Sequence, residues 1–184
     1  MRIVATDLPG VLLIEPRIFA DARGYFVETW QSGRYADAGM PIEMVQDNLS
    51  SSVQGVIRGL HYQWPQPQAK LVHVLDGEIL DVAVDVRAGS PTFGRSVAVT
   101  LNSADRRQIF IPVGFAHGFA ALSSTAVVSY KCSTPYAPQF DRGIRWNDPE
   151  LGIAWPVAAP ILSDKDARLP LLREVPAELL PTSA

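Results

Sequence analysis

Within thirteen residues the chain carries a guanidinium, an imidazole and an ammonium. They lie in Arg58-Gly59-Leu60-His61-Tyr62-Gln63 and, after a Pro-rich loop, in Lys70-Leu71-Val72. Arginine suits a phosphate, histidine moves a proton near neutral pH, and lysine steadies a developing oxyanion. Gly59 frees the backbone beside the arginine, while Pro65 and Pro67 stiffen the approach to Lys70. Each group alone has a structural reading, and a lone strand histidine is more often a satisfied core residue than a catalyst. Their clustering is what points to a site.

His117, Tyr130 and Asp166 complete the candidate set, with Arg23 joining Arg58 as an anion anchor. On a regular strand Val128, Tyr130 and Cys132 share a face. Tyr130 is then either a core phenol bonded to a backbone carbonyl or a pocket group. Strict alternation puts Arg58 and His61 on opposite faces, unless Gly59 marks a bulge that turns both into one pocket.

Other chemistries fit less well. The three histidines, His61, His73 and His117, form no His-x-His pair, and no Glu follows His61 at metal-ligand spacing. No serine stands in a nucleophile elbow, and no Walker or Rossmann glycine loop is present. A base, a phenol and a cation match proton abstraction next to a carbonyl. The base takes the C–H proton, the cation stabilises the enolate oxygen, and an acid on the other face returns a proton. An aspartate bonded to the imidazole would fix its tautomer.

The elements that must position these groups are mostly strands. Fifteen prolines and thirteen glycines punctuate the chain, without repeats or low-complexity tracts. Val11–Ile14 reads as the first strand. Asp21–Gly24 is a turn into the aromatic segment Tyr25–Trp30. Ser32 to Ala38 reads as a short helix ending at Gly39, with Ser32 as its cap. Glu43–Ser51 is extended and polar. Val74–Leu80 reads as a hairpin about Asp76-Gly77. Val82, Val84 and Val86 alternate with Asp81, Ala83 and Asp85, and Val97, Val99 and Leu101 alternate likewise. Ile109–Ile111, Gly114–Phe119 and Ala126–Cys132 follow. Such close strands without long helices indicate an antiparallel sandwich or barrel. Ser163–Asp166 has a capping-box pattern for one short helix, stopped by Pro170, and the last ten residues read as a loose tail.

At 184 residues and 47% hydrophobic content, one domain over 1–184 is expected, with its core at about 8–172 and the tail at about 175–184. A net charge of −3 argues against a nucleic-acid partner. The single cysteine, Cys132, suits a reducing compartment, and neither a signal core nor a membrane-length apolar run is present. The expectation is a soluble cytoplasmic protein.

From about Leu8 to Leu172 the chain resembles the dTDP-4-dehydrorhamnose 3,5-epimerases. The resemblance rests on the number and order of short motifs: Asp21-x-Arg23-Gly24-Tyr25-Phe26-x-Glu28, Gln46-Asp47-Asn48, Arg58–His61, Asp81–Asp85, Ser90–Phe93, Ile111–Phe119, Tyr130-Lys131, Trp146–Asp148 and Leu162–Asp166. It implies a mainly β fold, a cupin-like antiparallel jelly roll with a few short helices, without metal or cofactor. It also implies a homodimer whose N-terminal strands pair with the neighbouring subunit.

The implied reaction inverts C3 and C5 of dTDP-4-dehydro-6-deoxy-D-glucose. His61 would be the base with Asp166 as its partner, Tyr130 the acid, and Lys70 the group near the keto oxygen. Arg23, Glu28, Gln46, Asp47, Asn48, Arg58, His117, Tyr136, Asp141 and Lys165 would hold the nucleotide sugar, Arg23 and Glu28 reaching across the dimer. Two positions depart from the usual family pattern. Pro135 replaces a second tyrosine before Tyr136, and Asp141 replaces a glutamate. Three rivals remain: a single-site 3- or 5-epimerase of an antibiotic deoxysugar pathway, a metal-dependent cupin, and a non-catalytic sugar-nucleotide-binding cupin. The last should lack His61, Tyr130 or Asp166.

Overall fold

Val, Ile and aromatic residues at every second position favour strands, because their branched or flat side chains pack on a pleated surface. The computed structural model describes residues 1–182. In it these runs become β1 (Arg2–Ala5), β2 (Leu12–Glu15), β3 (Ile18–Asp21), β4 (Gly24–Val27), β5 (Gln46–Val53), β6 (Ile57–Gln63) and β7 (Lys70–Asp76). There follow β8 (Glu78–Asp85), β9 (Ser96–Asn102), β10 (Gln108–Ile111), β11 (Phe115–Ala121), β12 (Thr125–Cys132) and β13 (Asp141–Gly143). One sheet has the order β1-β2-β10-β7-β12-β5, the other β13-β6-β11-β8-β9, and β3 with β4 forms a separate hairpin. Strand pairing within these sheets is antiparallel. The architecture is a mainly β jelly roll. Among the described residues no helix is long and apolar enough to cross a membrane.

The core lies between the sheets, where Val72, Val74 and Val128 meet Ile79, Ala83, Phe115 and Phe119. Each fully buried Val, Ile or Phe contributes about 1.5–3 kcal/mol by leaving water. β8 is buried on both faces: Ile79 and Ala83 point into this core, while Val82 and Val84 pack outward beneath Leu151, Leu172 and Leu180. Asp81 and Asp85 are therefore as buried as the valines between them. A third cluster, with Tyr35, Met40, Leu71 and Phe110, covers the outside of the six-stranded sheet.

Four expectations need correction. Asp76-Gly77 does not close a hairpin, because β7 pairs with β10 and β12 whereas β8 pairs with β11 and β9. The turn carries the chain from one sheet to the other. Gly77 has φ +80°, and a Cβ there would lie 2.1 Å from the Thr125 carbonyl oxygen, so only glycine fits. The short helix α1 (Ser32–Asp37) is capped by Gln31, whose side chain accepts from the Arg34 N–H at 2.6 Å, and Ser32 is already helical. The edge strand β1 precedes the strand expected to be first.

The segment beyond Val175 is packed, not loose. Leu180 is buried, Tyr62 Oη donates to the Leu179 carbonyl at 3.1 Å, and the Ala88 N–H donates to the Pro181 carbonyl at 2.7 Å. Only Ser183 and Ala184 of the expected tail lie outside the described residues.

Candidate active site

On β6 the backbone slips against β11: His61 stands opposite His117, but Arg58 stands opposite Phe119. Three steps on one strand thus match two on the other. The bulge turns Arg58 and His61 into the same cavity, which alternation alone forbids. Gly59, with φ +115°, makes this possible. A Cβ there would sit 2.6 Å from the His117 carbonyl oxygen.

His61 Nε2 lies 2.7 Å from Asp166 Oδ1, and the Gly59 N–H donates to Asp166 Oδ2 at 3.2 Å. Asp166 opens a single 3-10 turn, Asp166–Arg168, and its N–H donates to Ser163 Oγ at 3.1 Å. The capping-box pattern is therefore half used: Ser163 Oγ accepts the Asp166 N–H, and the acid reaches His61 instead. Burial alone would raise the Asp166 pKa. Hydrogen bonds from His61, Gly59 and Ser163, with the attraction of His61, outweigh it and hold the carboxyl below its ordinary value.

The facing wall comes from β7 and β12. Lys70, Val72 and Val74 share a face, as do Val128, Tyr130 and Cys132, and Tyr130 is the register partner of Val72. Tyr130 Oη has no hydrogen-bond partner among the described residues, so the pocket reading of this phenol holds over the core reading. Burial pushes its pKa up, with Cys132 adding and Arg58 opposing, so the phenol keeps its proton at neutral pH. Burial pushes the Lys70 ammonium down, against the pull of Cys132, Asp141 and Asp81.

Between these walls lies a cavity of about 430 Å³, with Ile161, Leu162 and Phe119 as apolar lining. It adjoins a second of about 290 Å³ that shares His61, Lys70 and Tyr130. Together they suit an elongated ligand with one reacting end. Arg58 is braced at the first, Nε donating to Ser52 Oγ at 3.0 Å and a terminal nitrogen to the Ser51 carbonyl at 3.1 Å. His117 Nε2 is 2.8 Å from Asp81 Oδ2. In the second, Gln46 Nε2 donates to Asn48 Oδ1 at 3.0 Å, and Gln46 Oε1 accepts the Tyr136 N–H at 2.8 Å. Asp141 Oδ2 accepts from Tyr136 Oη at 2.9 Å and also from Lys165 Nζ, tying the rim together. Among the described residues no group of three or more His, Cys, Asp or Glu is placed to hold a metal ion.

A family model described as dTDP-4-dehydrorhamnose 3,5-epimerase matches residues 5–174. The chain belongs to this family. It is 49% identical over 181 residues to the dTDP-4-dehydrorhamnose 3,5-epimerase of Methanothermobacter thermautotrophicus, covering 97% of this chain and 98% of that one. A Legionella pneumophila epimerase, RmlC, solved with dTDP-4-keto-L-rhamnose, superposes with a TM-score of 0.97 at 49% identity, covering 100% of this chain and 98% of that one. NovW, a 4-keto-6-deoxy sugar epimerase from the novobiocin gene cluster of Streptomyces spheroides, gives 0.94 at 42% identity over 99% of this chain and 93% of its own.

In this member of the dTDP-4-dehydrorhamnose 3,5-epimerase family, three expected ligand residues lie away from both cavities. Asp47 alternates to the outer face of β5 and pairs with Lys131 Nζ at 2.8 Å, while Gln46 and Asn48 face in. Arg23 pairs with Asp21 at 2.6 Å at the tip of the β3–β4 hairpin. Glu28 pairs with Arg34 at 2.7 Å beside α1. The hairpin also exposes Phe19, Tyr25 and Phe26, the last at 68%. Sequence reasoning missed Ser50, which the same alternation from Asn48 would have found, and Asp81, hidden in an apparent valine repeat.

Proposed function

We propose that this chain converts dTDP-4-dehydro-6-deoxy-D-glucose to dTDP-4-dehydro-L-rhamnose by removing and returning protons at C3 and C5. The observation that carries this reading is a His–Asp dyad on one cavity wall facing a phenol and an ammonium on the other. The C4 ketone acidifies both neighbouring C–H bonds. In the D-gluco ring these bonds are axial on the same face, so one base can serve both. His61 takes each proton at Nδ1, the nitrogen not held by Asp166, and the carboxylate stabilises the imidazolium. Lys70 stabilises the enolate oxygen at C4. Tyr130 donates to the opposite face, completing inversion; it is reprotonated from solvent, and His61 releases its proton to solvent before the next abstraction.

Arg58, His117 and Lys165 would hold the sugar and diphosphate, with Gln46, Asn48, Tyr136 and Asp141 toward the nucleoside. Arg23 and Glu28 would act in the cavity of a second copy, to which the exposed aromatic hairpin would dock. This makes the protein a homodimer, with light scattering as the check. We place the activity in the cytoplasm, in the supply of sugar nucleotide for cell-surface polysaccharide. The likeness to ChmJ, a 3'-monoepimerase of Streptomyces bikiniensis at 37% identity, favours, as second reading, an epimerase of an antibiotic deoxysugar pathway acting at one carbon.

The test is proton NMR of the purified protein with dTDP-4-dehydro-6-deoxy-D-glucose in D₂O. Deuterium entry at C3 and C5 with an L-sugar product is the expected result. Entry at one carbon alone would establish the single-site reading, and at neither would overturn both.

A further inference from the structure

Asp81 touches no reacting atom in the chemistry above, where its charge only favours the Lys70 ammonium from a distance, yet it lies fully buried behind the cavity wall. Strand alternation on β8 turns it inward with Ile79 and Ala83. Its Oδ2 meets His117 Nε2 at 2.8 Å, while Oδ1 has no hydrogen-bond partner among the described residues. Burying a carboxylate is costly, and one hydrogen bond leaves half of it unsatisfied. Packing alone does not account for an acid here.

His117 is the direct register partner of His61, and both rings line the same cavity. Each imidazole gives Nε2 to a carboxylate. Neither Nδ1 has a hydrogen-bond partner among the described residues, which leaves both free for a ligand in that cavity. One base suffices for two C–H bonds on one ring face, which leaves the second dyad free for another task. A carboxylate accepting from Nε2–H leaves the Nδ1 lone pair of a neutral imidazole free to accept.

We propose that Asp81 is a positioning residue: it holds His117 in the Nε2–H tautomer, so that Nδ1 accepts a hydrogen bond from a hydroxyl of the bound sugar. The inference rests on the sugar-nucleotide reading of the cavity. It makes His117 a sensor of one ring hydroxyl, because a sugar lacking it would strand a desolvated acceptor.

Nitrogen-15 NMR of histidine-labelled protein at neutral pH reads the tautomer directly. With three histidines in the chain, assignment needs only substitutions at His73 and His61. The wild-type His117 should have a protonated Nε2 and a bare Nδ1. Finding Nδ1–H there overturns the proposal without any variant at Asp81. In Asp81→Asn the carboxamide can donate to Nε2, so the Nδ1–H form should appear. Turnover, as kcat/KM, should fall about ten- to a hundred-fold, the loss of one buried hydrogen bond to the ligand, with dTDP affinity unchanged by calorimetry and part of the loss restored in Asp81→Glu. An Asp81→Asn protein with wild-type tautomer or wild-type kcat/KM, or one that loses dTDP affinity in parallel, refutes the assignment. The tautomer readout judges Asp81 even if the wild-type protein failed to turn the sugar over, an outcome that would sink the functional reading instead.

Discussion

Replacing Asp166 by Asn keeps the volume of the dyad and removes its charge, so the loss can be worked from the geometry. Asp166 is 4% exposed, with Oδ1 2.7 Å from His61 Nε2. When His61 takes a proton, imidazolium and carboxylate become an ion pair with charge centres about 4 Å apart. At an effective dielectric of about 20 that attraction is worth about 4 kcal/mol. His61 is partly open to solvent, its side chain 29% exposed, which screens some of it. A loss of about 2–4 kcal/mol remains, or about 30- to 1000-fold in kcat.

The carboxamide cannot recover this by turning over. With its oxygen toward the Gly59 N–H, its NH₂ donates to Nε2 and puts the proton on Nδ1, where the base must be bare. With its oxygen toward His61, its NH₂ faces the Gly59 donor at the position where Oδ2 now accepts at 3.2 Å. Steady-state turnover at neutral pH, with dTDP affinity by calorimetry as the control for an intact cavity, measures the effect. A variant within about three-fold of wild-type kcat would refute the role given to the dyad, since the loss expected is at least about ten times larger.

Tyr130→Phe should leave deuterium entry detectable by NMR while abolishing L-sugar product, most clearly at C5, and full inversion in that variant would remove Tyr130 as the acid. Asp85 supplies the pH dependence. Burial would raise it, yet hydrogen bonds from Arg87, Ser90 and Thr92 hold it at about 2. A folded pKa below the unfolded one stabilises above about pH 4 and is lost as pH falls toward 2, here about 2 kcal/mol. Urea midpoints of wild type and Asp85→Asn should therefore differ at neutral pH and approach each other in that acid window, and a constant difference would exclude the linkage. Gly77→Ala should cost more than about 2 kcal/mol, seen as a lowered melting temperature, because the new methyl meets the Thr125 carbonyl at 2.1 Å. Unchanged melting would mean that the crossing between sheets tolerates a side chain.

The strands were legible because alternation is a local property: Val72, Val74, Val128 and Ile109 declare their faces within a few neighbours. The same rule separates Asp47 from Gln46 and Asn48, and an unbroken reading of β5 would have sent Asp47 outward. Where the chain goes after a turn is not local. Asp76-Gly77 has the composition of a hairpin, and its positive φ serves equally well to carry the chain across to the other sheet. The partner that decides between them, Thr125, is distant in sequence. Leu179 and Leu180 looked like tail because their contacts, Tyr62 and the outer face of β8, lie about a hundred residues earlier. Asp81 was invisible for the opposite reason. Its alternation with valine reads as a solvent-facing acid, and only a sheet covered on both sides makes it a buried one.

The bulge at Gly59 shows why the site nevertheless had to be seen in three dimensions. Inversion next to a ketone needs a base on one face of the ring and an acid on the other, and two facing sheets supply those walls from a rigid frame. The frame imposes alternation, and alternation separates Arg58 from His61. One extra residue on β6 breaks that rule at a single point, placing a guanidinium and an imidazole on the same wall. The glycine that permits it also donates its N–H to Asp166 Oδ2. The backbone irregularity and the orientation of the base are thus one device: a side chain at residue 59 would collide with the His117 carbonyl and, in displacing β6, would pull the imidazole away from its carboxylate.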